Sequence, residues 1–99
     1  MEKRAGKEDI ERIFREIGKK HGFRQVDIEI SNDKSMCNIE WNCLGINVAF
    51  TLPAFLLDAK EKMIEEMAES CCRLVLGIER SPLSDETRGF VHEKVSEAV

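Results

Sequence analysis

The chain is 99 residues long, enough for one domain and too short for two independent cores. Hydrophobic residues at 42% beside charged residues at 34% are globular proportions and argue against a disordered chain. A formal charge of −4 argues against nucleic acid as a partner, since phosphate binding draws on a basic surface, and no apolar run nears the roughly 18 residues that read as a membrane span.

The N-terminal run MEKRAGKEDIERIF is charged and lacks the apolar stretch of a secretory signal, so a cytoplasmic location is expected. Ile10, Ile13, Phe14 and Ile17 follow the spacing of a one-faced helix. Glu8–Arg12, Glu11–Arg15 and Glu16–Lys20 support it as i,i+4 pairs with the acid first. Gly22 followed by Phe23 reads as its stop, the glycine supplying a positive φ and the aromatic returning to the apolar side.

From Phe23 the period changes to two. Val26, Ile28 and Ile30 alternate with Gln25, Asp27 and Glu29, the pattern of a half-buried strand. After the turn residues Ser31 to Ser35, Cys37, Ile39 and Trp41 share the face of a second strand. Ile46, Val48, Phe50 and Leu52 share that of a third, which Pro53 ends because it has no N–H for the ladder. Short turns between the three predict an antiparallel meander, since parallel neighbours need a longer crossover.

Ala54 to Leu57 is an apolar connector. Asp58 with Glu61 fits a capping box that starts a long helix at Ala59. Its apolar stripe collects Met63, Ile64, Met67, Ala68, Cys71, Leu74 and Val75, and Gly77 stops it. Ser81 or Ser84 caps a last helix with a weaker apolar side, in which Gly89 costs about 1 kcal/mol relative to Ala. The expected fold is one α+β domain over 1–99: a helix, a three-stranded antiparallel meander, a long helix packed on the sheet, and a short C-terminal helix.

Four cysteines invite a test for metal or redox chemistry. Cys37 and Cys43 are separated by five residues and then by a long jump to Cys71 and Cys72, unlike the close pairs of structural zinc sites. Adjacent helical residues point about 100° apart, which places Cys71 in the middle of the apolar stripe and Cys72 at its edge. Core or surface thiols are therefore expected, with a metal- or thiol-dependent protein using Cys71 or Cys72 with Cys37 or Cys43 as the alternative. His21 and His92 read as solvated helix-surface residues. Asp27, Glu29 and Glu40 belong to one polar sheet face if the register allows, and such a face could dock a basic partner. No nucleotide-binding, nucleophile-elbow or calcium-loop motif is present, so no cofactor and no catalytic residue is expected. The apolar excess at Leu44, Phe55, Leu56 and Leu57 is the candidate interaction surface, for a protein partner or a second copy.

Ile39-Glu40-Trp41, the run Phe50 to Ala59 and the helix after it resemble SprT-like minimal zinc metallopeptidases, and more closely the archaeal relatives that lack the catalytic motif. The resemblance covers about Val26 to Gly77. Active members carry HExxH on that helix, two zinc-binding histidines around a glutamate base. The matching positions here are Ser70, Cys71 and Leu74, which supply neither imidazoles nor a carboxylate. The resemblance thus implies the order helix, meander, helix without peptidase activity, and the chain reads as a non-enzymatic interaction or self-association module on a degenerate zincin-like scaffold.

Overall fold

A computed structural model describes residues 6–31, 38–42, 47–79 and 83–98, with the backbone alone at Asn38, Trp41, Asn42 and Ala98. Its elements are α1 (Lys7–Lys20), β1 (Gln25–Ser31), β2 (Asn38–Asn42), β3 (Asn47–Pro53), a 3-10 turn (Ala54–Asp58), α2 (Glu61–Leu76) and α3 (Asp85–Ala98).

The sheet is mixed, which corrects the expected meander. Its order is β1-β3-β2, with β3 in the centre, antiparallel to β2 and parallel to β1. The crossover rule still holds when it is counted along the chain. Between the parallel strands lie residues 32–46, and β2 within that stretch carries the chain back, so no crossover helix is required. The register aligns Val26 with Val48, Ile28 with Phe50 and Ile30 with Leu52, and sets Ile39 opposite Phe50. One face of the sheet is therefore hydrocarbon across all three strands.

That face is covered by helices. α1 makes the closest approach to β1, and α2 packs along α1. Ile10, Ile13 and Phe14 from α1 and Met63, Ile64, Ala68 and Cys72 from α2 join Val26, Val48, Phe50 and Leu52 in one core. The rings of Phe14 and Phe50 meet edge to face, 5.3 Å apart at 63°.

Helix ends follow the sequence in part. At Gly22, φ is +96°, the Phe23 N–H reaches the Gly18 carbonyl and the Gly22 N–H reaches that of Lys19, the paired bonds that close a helix on a left-handed residue. Gly77, at φ +72°, repeats this with Ile78 and Gly77 donating to Arg73 and Leu74. The capping box at Asp58 is corrected. Asp58 is the last residue of the 3-10 turn, Ala59 and Lys60 are extended, and α2 starts at Glu61 without a side-chain cap. The Asp58 carboxylate instead meets Lys94 Nζ of α3 at 3.6 Å. Winding Ala54–Asp58 into a turn buries Leu56 and the following Ala59, and this burial sets the start of the helix.

The inward side of α2 is also rotated from expectation. Cys72 is fully buried and Cys71 only half-buried, while Leu74 is 52% exposed. The small Ala68 and Cys72 lie on the buried side of α2, which packs along α1. The opposite margin of the stripe, Met67, Cys71 and Leu74, is left for a second environment. Among the described residues no helix is long and apolar enough to cross a membrane.

Candidate functional site

That second environment is a cleft of about 400 Å³. Phe14, Ile39, Leu52 and Leu56 contribute to it from the core, Met67, Ser70, Cys71 and Leu74 from α2, and Leu83, Val91 and Val95 from the C-terminal region. The volume lies within the usual range of ligand-accepting pockets, and among the described residues the lining side chains bring one hydroxyl and one thiol as polar groups. An apolar guest would lose little in leaving water for such a surface.

The predicted interaction residues divide on inspection. Leu56 is buried, Phe55 is half-buried with its ring 6.0 Å from that of Phe90, and Leu57 is 39% exposed. Phe55 and Leu56 line the cleft. Leu44 lies outside the described residues, as do Cys37 and Cys43. Ser70, Cys71 and Leu74, the positions that match the peptidase motif, all line the same cleft.

The cysteines diverge. Cys71 faces the cleft and Cys72 the core, so the adjacent thiols do not converge on one ligand. Burial, with a smaller contribution from the charge of Glu69, pushes the Cys72 thiol up to about 11. Among the described residues no three of His, Cys, Asp and Glu come together in a way that could hold a metal ion.

Two polar clusters escape sequence reasoning. His21, expected at the surface, is only 15% exposed in its side chain, and its Nε2 lies 2.9 Å from Glu69 Oε1, which also accepts from Arg73 Nε at 3.1 Å. The His21 contact, followed by Arg73, holds the Glu69 carboxyl below the usual range against its partial burial. The i,i+4 spacing of Glu69 and Arg73 is a readable signal; the long-range link to His21 is not.

The other cluster joins α2 to α3. Glu66 Oε1 accepts the Ser84 N–H at 2.6 Å, and its Oε2 accepts the Thr87 hydroxyl at 2.7 Å. The Ser84 hydroxyl sits 3.1 Å from the same carboxylate and receives the Thr87 N–H at 3.3 Å, as an N-cap should. Thr87 is completely buried. These contacts, Thr87 first and the Ser84 amide next, lower the Glu66 pKa. Glu66 and Glu69 also border a recess of about 430 Å³ between α1 and α2. Both carboxylates are already engaged by the chain.

On the open sheet face the register sets Asp27 and Glu40 on either side of Ala49, with Glu29 two residues along β1. All three acids are exposed. Gln25 Nε2 donates to Asp27 Oδ2 at 2.9 Å.

No family model matches the chain, and neither does any curated protein or solved structure.

Proposed function

We propose that the protein is a non-enzymatic interaction module of the cytoplasm, on a degenerate zincin-like scaffold, and that it docks an apolar segment of a protein partner or of a second copy. The observation that carries this reading is the cleft between α2, the 3-10 turn and α3. It is built from hydrocarbon, with the half-exposed Leu74 among its lining residues. The scaffold likeness is consistent with Ser70, Cys71 and Leu74, which bring contact surface to the cleft rather than metal ligands. Leu76, the last residue of α2, and Ile78 just after it are exposed as well. A photocrosslinking side chain at position 74, used in cell extract, is expected to trap a protein. Leu74→Arg should abolish any self-association seen by sedimentation while leaving the melting temperature unchanged. A strictly monomeric protein that crosslinks to nothing would overturn the reading.

A second reading, an acidic module for a basic partner, is favoured by one observation. The exposed Asp27, Glu29 and Glu40 occupy the sheet face that the helices leave open. Binding to a lysine-rich peptide that weakens with salt and is lost in Asp27→Asn/Glu40→Gln would support it. Binding indifferent to both changes would remove it.

A further inference from the structure

We infer that the outer edge of β1 takes up an extended segment of a partner protein, alternating basic and aliphatic residues, as an added strand; this rests on the acidic-module reading above. The sheet order is β1-β3-β2, so among the described residues β1 has a strand neighbour on one side only. Successive residues of a strand turn their backbone groups to opposite sides. The Val26 carbonyl accepts from Arg15 Nε at 3.4 Å, a side chain from outside the sheet, so Val26, Ile28 and Ile30 form the outward row. Among the described residues neither isoleucine has a backbone bond beyond the β3 ladder. Arg15 thus closes the edge at Val26, and the stretch after it is open.

The two faces of that stretch state what fits it. Asp27 and Glu29 are exposed on the open side of the sheet. On the helix side Val26 is buried, whereas Ile28 and Ile30 are only half-buried, so the core layer ends at this edge. An added strand sets lysine or arginine beside the acids and aliphatic side chains beside the isoleucines. Main-chain bonds to the edge supply affinity, and the alternate side chains supply specificity. A second copy is a poor occupant. Pairing β1 with β1 about Ile28 sets Asp27 opposite the partner's Glu29, and like charges directly opposite destabilise. The charges that guard an edge against its own kind admit a strand of opposite sign. The other edge, β2, is shorter and carries Glu40 as its one acid.

Hydrogen exchange of the whole chain with a short peptide alternating lysine and valine tests this. The Ile28 and Ile30 amides are expected to slow at least tenfold on binding, while those of Asp27 and Glu29, already turned to β3, stay as they were. Asp27→Lys/Glu29→Lys should lose this peptide and take up one alternating glutamate and valine instead. Glu40→Gln should leave binding unchanged. Its strand lies three strand spacings from the added one, roughly 14 Å, beyond the screening length of about 8 Å at physiological salt. Binding that Glu40→Gln abolishes, or that leaves Ile28 and Ile30 unprotected, overturns the edge and spares a basic partner lying across the acidic face. Binding in neither charge pairing overturns both, and the acids then serve only to guard the edge.

Discussion

Gly18 of α1 lies so close to Val26 of β1 that a Cβ on the glycine would stand 2.6 Å from the Val26 Cγ2 methyl. The absent side chain lets the first helix settle on the edge strand. Val26 is β-branched and buried, so it has no flexible end to move aside.

The same substitution should therefore have opposite signs at two glycines. Gly18→Ala gains about 1 kcal/mol of helix propensity, but overpacking of a well-filled contact costs about 1–3 kcal/mol. The net effect is destabilising by up to about 2 kcal/mol, with each kcal/mol lowering the melting temperature by roughly 4–8 °C. At Gly89 a Cβ meets nothing within 4 Å, so Gly89→Ala keeps the propensity gain of up to about 1 kcal/mol and protects α3 amides from exchange. A Gly18→Ala protein melting above wild type would contradict the close approach.

Acid should act on two places separately. Glu66 and Glu69 both have lowered pKa values in the folded chain, Glu66 first through Thr87 and Glu69 first through His21. The sign follows from linkage: their contribution is fully present above the unfolded glutamate pKa of about 4.3 and is lost as pH falls through the lower folded values. Glu69 ties α1 to α2, so Glu69→Gln should flatten the decline of the urea midpoint with acid. Glu66 ties α3 to α2, so Glu66→Gln should flatten the acid dependence of exchange in α3 alone. Unchanged slopes in both variants would show that neither carboxylate is held as described.

Thiol chemistry should separate two neighbours in sequence. Cys72 is completely buried and its thiol is pushed up to about 11, whereas Cys71 opens on the cleft. The thiolate is the nucleophile, so iodoacetamide at pH 8 should modify Cys71 in the native protein and reach Cys72 only after unfolding. Cys37→Ser/Cys43→Ser provides the background in which mass spectrometry reads the two sites cleanly. Equal rates at Cys71 and Cys72 would contradict the placement.

Much of this architecture is local and was legible for that reason. The period of Ile10 to Ile17, the alternation in Val26 to Ile30 and Val48 to Leu52, and the glycine stops at 22 and 77 each act within a few residues. Strand order was not legible, because alternation tells which face a residue takes and not which strand lies beside it. The rotation of α2 was hidden by composition: seven apolar positions span more arc than one contact covers, and only the packing along α1 selects Ala68 and Cys72 for the core. Of the cleft, Phe55 and Leu56 announced themselves as excess grease. Val91 and Val95 did not, because they come from a helix with a weak apolar side, placed there by the pairing of Glu66 with residues 18 and 21 positions away.

Phe14 ties the core to the cleft, since its ring packs edge-on against Phe50 and also contributes to the cleft lining. Truncation there removes a buried aromatic and opens a void continuous with the cleft. Phe14→Ala should cost about 3–5 kcal/mol, a large fraction of the roughly 5–15 kcal/mol that stabilises a domain of this kind. Phe14→Leu retains most of the volume and should cost substantially less, leaving a folded protein whose cleft is enlarged and binds an apolar dye more strongly. Urea unfolding of both variants with dye titration of the leucine variant measures the two effects. If Phe14→Ala melts within a degree of wild type, or if the leucine variant binds no more dye than the parent, the ring does not separate core from cleft.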